Sequence, residues 1–259
     1  MIRRILFLFL LLPIHGVESA PLYKALAEQA RPDEKELVRA RKQIEERRDI
    51  EIKDNLFVPP FHKRGEQAAT KRKPVCTICH LELPHRENVR SRTFLNMHSR
   101  YIACETCHLR PKDYALEYDW VDFGATVEEQ VQTEKAAPAS ERNRTSRIQA
   151  RPGLRIVPFY AGERAIIFSD HAFSRELEKT WSDADAERKI RLKAKLHGFL
   201  ERKGPECIDC HRSKDPFLDL ASLGANARQI RAMQNNVIPR FFARFKKKDE
   251  KLRMTDLLR

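Results

Sequence analysis

The sequence is poor in glycine and in aromatic residues, and beyond its first residues it has no long hydrophobic run. Among 259 residues there are 8 Gly and 14 Pro, which excludes a collagen-like or low-complexity chain. Only 14 Phe, 5 Tyr and 2 Trp are available to fill a core. No apolar stretch after residue 20 approaches the roughly 20 residues that cross a bilayer, so a bundle of membrane spans is excluded as well.

The first 19 residues have the layout of a secretory signal peptide. Arg3 and Arg4 give a positive start, an unbroken apolar run follows from Ile5 to Leu12, and small residues surround the cleavage site expected after Ser19. As a helix this run spans only about half of a bilayer core, so an uncleaved anchor is the weaker alternative. The sequence therefore predicts export to the periplasm.

The six cysteines fall into three identical C-x-x-C-H frames, and none is left over. C-x-x-C-H is the attachment frame for c-type haem: two thiols on one helical turn reach one porphyrin edge, and the adjacent His binds iron. Disulfides would not need a His after every second Cys, and a zinc site built from two pairs would strand the third. The sequence predicts three covalent haem c groups, bound by Cys76, Cys79, Cys104, Cys107, Cys207 and Cys210, with His80, His108 and His211 as proximal ligands.

On these three motifs and the export signal, the chain resembles the multihaem c-type cytochromes over roughly residues 74–212. The stretch 94–98, Phe-Leu-Asn-Met-His, is similar to distal-ligand segments of small periplasmic multihaem proteins. The motif spacing differs from the dense four-haem pattern of membrane-anchored quinol-dehydrogenase cytochromes. The resemblance implies an exported triheme cytochrome of the electron-transfer type.

Five further histidines remain in the mature chain as candidates for distal ligands. We predict His98, His171 and His197 in this role, with His85 and His62 as reserves. His98 is most simply assigned to the haem at Cys76 and Cys79. Two imidazoles on each iron would leave no open position for a substrate, so such haems carry electrons rather than catalyse a reaction.

The expected fold is mainly α, with much irregular structure and one short β-hairpin, organised by the haem groups. Each macrocycle is a large apolar plate, so a chain with few aromatics can still bury a core around it. The predicted segments are a signal peptide (1–19), a charged N-terminal segment with a helix (20–73), a two-haem module (74–125), a linker (126–150), a hairpin, helix and third haem site (151–215), and a basic helical C-terminal segment (216–259).

Helix-start signals and apolar runs give finer expectations within these segments. A solvated helix should begin at Pro32-Asp33 and extend to about residue 55. The hairpin should join residues 154–159 to 165–168 through a turn at 161–163. A helix is expected over 183–202, and another over 225–259 with a break at Pro239. The acidic stretch 113–134 is typical of solvated surface, or alternatively of a docking face for a redox partner.

The function predicted from these features is electron transfer between redox protein partners. Export argues against nucleic acid as a partner, and no nucleic-acid-binding module is visible. The basic, Phe-containing C-terminal segment could lie on an anionic membrane surface, or its Phe side chains could cover a haem face. Two alternatives stay open: a multihaem oxidoreductase with one open-coordination haem, and a non-catalytic haem subunit of a larger electron-transfer complex.

Overall fold

The computed structural model describes residues 20–46, 72–81, 84–87, 91–126, 153–244 and 255. Several predictions fall wholly or mainly outside these ranges. They are the signal peptide, the linker apart from residue 126, the candidate ligand His62, the second half of the charged N-terminal helix and the end of the basic C-terminal segment.

Short helices make up most of the regular structure in the described ranges. Their bounds are α1 Leu22–Gln29, α2 Glu34–Glu45, α3 Asn96–His98, α4 Cys104–His108, α5 Ala172–Asp183, α6 Ala186–His197, α7 Cys207–Cys210, α8 Ala227–Gln234 and α9 Val237–Arg244, with a 3₁₀ helix at Val75–Ile78 and a π-helical turn at Ser91–Leu95. Within the described part of the chain, no helix is both long enough and apolar enough to cross a membrane.

Polar side chains define where the longer helices begin. The Asp33 side chain accepts the backbone N–H of Glu36, and the Glu36 side chain accepts that of Asp33, which makes a capping box at α2. The start predicted at residues 32–33 is therefore confirmed. Asp185 caps α6 by accepting the N–H of Arg188, so the helix predicted from residue 183 begins at Ala186 and ends at His197.

Two helical predictions need correction. Residues 172–183, for which no helix was expected, form α5. In the C-terminal segment the break falls at Asn235 and Asn236, between α8 and α9, and not at Pro239. Pro239 lies in the first turn of α9, where a backbone N–H has no partner within the helix, so the missing N–H of proline costs little there.

The β-structure is an antiparallel sheet in the order β1-β2-β3, formed by Glu117–Asp122, Leu154–Tyr160 and Glu163–Arg164. A hairpin is present at β2–β3 as predicted, but its second strand is Glu163–Arg164 and not the expected 165–168, where Phe168 forms only an isolated bridge with Pro74. Ala161 and Gly162 both have positive φ, of 50° and 81°, which suits the tight turn of a two-residue hairpin.

Strand β1 corrects the expectation of simple solvated surface for the acidic stretch. It pairs with β2 along its whole length, with Trp120 opposite Ile156. Tyr118 and Trp120 pack towards a cluster around Leu218 and Leu223, whereas Val121 packs towards Phe123 and Phe168. Alternation along the strand therefore buries side chains on both faces, despite the acidic residues between them.

The core is divided into clusters that surround the three cysteine motifs. The largest contains Tyr23 of α1, Val75 just before the first motif and Leu109 just after the second, and Cys76 packs against it. Another contains Leu218 and Leu220 and packs against Cys210. A third joins the Leu37–Ile44 face of α2 to α6. Each of these clusters therefore contains side chains from segments that are far apart in the sequence.

Candidate functional site

Each C-x-x-C-H motif occupies one helical turn entered from an extended residue. The first lies on the 3₁₀ helix after Pro74, the second on α4 after Ala103, and the third on α7 after Glu206. The His80 N–H donates to the Cys76 carbonyl over 2.9 Å, and the His211 N–H donates to the Cys207 carbonyl over 3.2 Å. One turn between the two cysteines places both sulfurs on the same side, as attachment to one porphyrin edge requires.

The second motif lies between the other two. A hydrogen bond to the Cys104 thiol, together with burial, raises the pKa of Cys76. Burial raises the pKa of Cys210 to about 12, and the neighbouring Cys107 contributes to that rise. One cysteine of the second motif therefore lies beside the first motif, and the other lies beside the third.

Six histidine rings form three facing pairs, and every pair contains one motif histidine. The ring centres are 5.9 Å apart for His80 and His197, 6.4 Å for His108 and His85, and 6.3 Å for His211 and His98. A His nitrogen lies about 2 Å from the metal it binds and its ring centre about 1 Å further away. Two imidazoles on opposite sides of one metal are thus about 6 Å apart, so the three pairs fit that arrangement.

Hydrogen bonds fix which ring nitrogen of these histidines is available. The Nδ1 atoms contact backbone carbonyl oxygens at 2.7 to 2.9 Å in four of the rings: His98 to Phe94, His108 to Glu201, His197 to Lys193 and His211 to Met233. Since a carbonyl only accepts, Nδ1 must carry the proton. The neutral ring then has its lone pair on Nε2, which is the form of histidine that binds a metal.

Burial favours the neutral form of two of these rings. Desolvation lowers the pKa of His197, and the hydrogen bond to the Lys193 carbonyl of α6 offsets part of this effect. Desolvation also lowers the pKa of His85, with the hydrogen bond to Asn96 acting in the opposite direction. Burial therefore favours the neutral form of both rings, and neutral imidazole is the form of histidine that ligates iron.

His171 is placed differently from the other two predicted distal ligands. It caps the N-terminus of α5, and its Nδ1 accepts the backbone N–H of Phe173 over 3.0 Å. A neutral ring in this position carries its proton on Nε2, the opposite tautomer from the paired rings. The structure thus brings His98 and His197 to motif histidines and places His171 at a helix cap.

Two placements of histidine differ from the simplest expectation. His98 was expected beside the first motif, but it faces His211 of the third, and His197 faces His80. His85, named only as a reserve, faces His108. The sequence signal for His85 is weak, since it follows His80 by only five residues; its buried partner Asn96 becomes recognisable only from the three-dimensional contacts.

Glu105, inside the second motif, was not singled out from the sequence. Its residue surface is 1% exposed, and its Oε1 accepts the Cys76 thiol proton over 3.3 Å. Oε2 is buried without a hydrogen-bond partner. Burial raises the pKa of this carboxyl, and the positive charge of Arg155 on β2 offsets part of that rise. A buried acid consequently lies where the first two motifs meet.

Aromatic side chains of α9 lie beside the third motif. The helix packs against α7, Phe241 is buried, and the ring centre of Phe242 is 5.4 Å from that of Phe94. The backbone carbonyl of Phe94 accepts the Nδ1 proton of His98, so the residue that carries this ring adjoins the His98–His211 pair. These phenylalanines of the basic segment therefore pack beside the third motif.

Comparison with known proteins gives one match. The family model described as "Cytochrome c554 and c-prime" matches residues 33–109, or 77 of the 259 residues, a stretch that includes the first two motifs as well as His85 and His98. Searches of curated proteins and of solved structures find no significant match. The family match supports a c-type cytochrome, with covalently bound haem c and a role in electron transfer.

Proposed function

We propose that the protein is an exported triheme c-type cytochrome that carries electrons between redox protein partners. The observation that supports this most directly is the set of three histidine pairs, each spaced for one iron and each containing a motif histidine. In this proposal His80 with His197, His108 with His85, and His211 with His98 would each hold one haem iron. Haem supplies reversible one-electron oxidation and reduction when bound.

The chain's own groups hold these ligands in fixed positions. The carbonyls of Glu201 and Met233 orient His108 and His211, and those of Phe94 and Lys193 orient His98 and His197. Such hydrogen bonds keep the imidazole rings in one orientation and raise their basicity as ligands. A rigid ligand set limits rearrangement on reduction, which suits a carrier.

The order of the sites follows from the cysteine contacts. Cys76 hydrogen-bonds to Cys104, and Cys107 lies near enough to Cys210 to contribute to the rise in its pKa. The two cysteines of each motif would attach one edge of a porphyrin through thioether bonds, so the haem held at the second motif would adjoin the other two. We therefore propose a linear electron path from the first motif through the second to the third, with either end able to meet a partner.

Two histidines on every iron leave no coordination site for a substrate, which favours a carrier over an enzyme. The proposed location is the periplasm, because the first 19 residues have the features of a signal peptide. Acidic surfaces of redox proteins are the proposed docking partners for this basic chain, whose formal net charge is +13.

The haem count and ligation can be tested on the matured protein. Intact mass and a pyridine haemochrome assay should give three haems per chain, and electron paramagnetic resonance should give three low-spin ferric signals. A high-spin signal from one iron in three would favour an oxidoreductase instead. Two haems per chain would contradict the proposal.

The assignment of distal ligands needs single variants. His85→Met, His98→Met and His197→Met should each alter one visible or resonance signal. His171→Met is the matched control and should alter none, because the His171 ring caps α5. A signal change in the His171 variant, or no change in one of the other three, would overturn that part of the assignment.

A further inference from the structure

Asn96 is a buried polar residue on α3 whose side chain is wholly engaged with His85. Its exposed fraction is 6%. The Asn96 Nδ2–H donates to the His85 carbonyl over 3.0 Å, and Oδ1 accepts the His85 backbone N–H over 3.0 Å. The same Oδ1 lies 3.1 Å from His85 Nδ1. One amide thus contacts the backbone of His85 on both sides and its ring as well.

These contacts leave one consistent assignment of protons. A backbone N–H only donates and a backbone carbonyl only accepts, so the two main-chain contacts distinguish the oxygen of the Asn96 amide from its nitrogen. The oxygen that faces His85 Nδ1 must then accept, and Nδ1 must carry the proton. The lone pair of the neutral His85 ring is consequently on Nε2.

The position of Asn96 in the chain adds a second role to α3. This three-residue helix carries Asn96 at its start and His98 at its end. His98 faces the third motif, while Asn96 holds a ring that faces the second. Ser99 Oγ–H donates to the Asn96 carbonyl over 2.8 Å and closes the turn. One short element thus places two of the three non-motif histidines.

We propose that Asn96 is a positioning residue that fixes the orientation and tautomer of His85 as distal ligand of the haem attached at Cys104 and Cys107. This inference rests on the proposed function, since it requires His85 to be a ligand. A hydrogen bond to the outer nitrogen of a metal-bound imidazole controls both its orientation and its basicity. Asn96 supplies that bond through a side chain, whereas the rings of His98, His108, His197 and His211 use backbone carbonyls.

The test compares two variants of Asn96 with a control on the same helix. Asn96→Leu removes all three contacts, so one iron in three should gain high-spin ferric character that added imidazole reverses. Asn96→Asp keeps an acceptor at Nδ1 and adds negative charge, so the reduction potential of one haem should fall. A tenfold change in its reduced-to-oxidised ratio corresponds to about 59 mV for one electron.

Ser99→Ala is the control, because it removes a hydrogen bond to the Asn96 carbonyl without touching His85. It should leave all three low-spin signals and all three potentials unchanged. If Asn96→Leu does not mature with three haems, the potential of Asn96→Asp relative to Ser99→Ala decides the question.

Failure of this inference can be separated from failure of the proposed ligand set. If His85→Met alters one haem while Asn96→Asp and Asn96→Leu leave every signal and potential as in the parent, the positioning role is overturned and the ligand assignment stands. If His85→Met alters nothing, the assignment of His85 fails and the role of Asn96 falls with it. Equal effects of the Ser99 and Asn96 variants would also overturn the positioning role, because they would show that any weakening of α3 has the same effect.

Discussion

Replacing Glu105 by Gln should make the stability of the protein less dependent on pH. The side chain is 1% exposed, and Oε2 has no hydrogen-bond partner. In the thiol form Oε1 accepts the Cys76 proton, but a thioether sulfur has no proton to donate. In the matured protein the charged groups that face this carboxyl are Arg155 on β2 and, when ionised, Tyr23 on α1.

The direction of the effect follows from the raised pKa of Glu105, whose main cause is burial. An unfolded Glu titrates near about 4.3. The folded chain therefore binds more protons than the unfolded chain between that pH and the higher pKa of the folded state. Stability is fully present below the unfolded pKa and is lost as pH rises through the folded pKa.

The magnitude follows from the unpaired oxygen atom. A buried polar group without a partner destabilises by about 1–3 kcal/mol, and a charged one by more. Glu105→Gln removes the charge and keeps the shape. The quantity to compare is the free energy of unfolding of Glu105→Gln minus that of the parent. Between pH 4 and pH 8 this difference should increase by about 1–3 kcal/mol, so the variant gains stability relative to the parent.

The assay is urea unfolding of the matured, oxidised protein at several pH values from 4 to 8, followed by tryptophan fluorescence. Glu178→Gln is the control, because Glu178 on α5 is an exposed acid that also acts on Cys79. It should leave the pH profile of the parent unchanged. The reasoning would be refuted if the free energies of unfolding of variant and parent changed in parallel with pH. It would also be refuted if the parent became more stable relative to the variant as pH rises.

Three further substitutions test the packing around the motifs. Phe123→Ala should lower the free energy of unfolding by about 3–5 kcal/mol in urea titration, since the Phe123 ring is 0% exposed in the core; a loss below about 1 kcal/mol would contradict that placement. Gly204→Val should reduce the haem content measured by intact mass, because even a Cβ at Gly204 would lie 3.2 Å from the Cys107 Cβ; full haem content would show that the loop yields. Arg72→Lys should lower the free energy of unfolding in urea by about 1–3 kcal/mol. Lys cannot reproduce the paired Nε and Nη2 hydrogen bonds to Asp170 at 3.0 and 3.2 Å. An unchanged urea midpoint would argue against a stabilising role for this pair.

Local chemistry is what the sequence determines well in this protein. The C-x-x-C-H frames require no tertiary information, because three positions of one helical turn suffice to place two thiols and a histidine. The start of α2 is equally local: Asp33 and Glu36 satisfy each other's backbone N–H groups within four residues. The β2–β3 turn is signalled by Gly162, which lacks a Cβ and adopts its φ of 81° without steric cost.

Contacts between distant segments decided the rest. The order of residues favours His171 over His85, which follows His80 by only five positions, whereas the structure pairs His85 with a motif histidine. The distinction comes from which acceptor or donor meets Nδ1: the side chain of Asn96 in one case, and the helix N–H of Phe173 in the other. Strand β1 and the burial of Glu105 likewise depend on partners far along the chain, β2 and Cys76. Sequence alone therefore sets the chemistry that each motif can perform, and tertiary packing selects the histidines that face it, because a ring nitrogen takes its role from the group it meets in space.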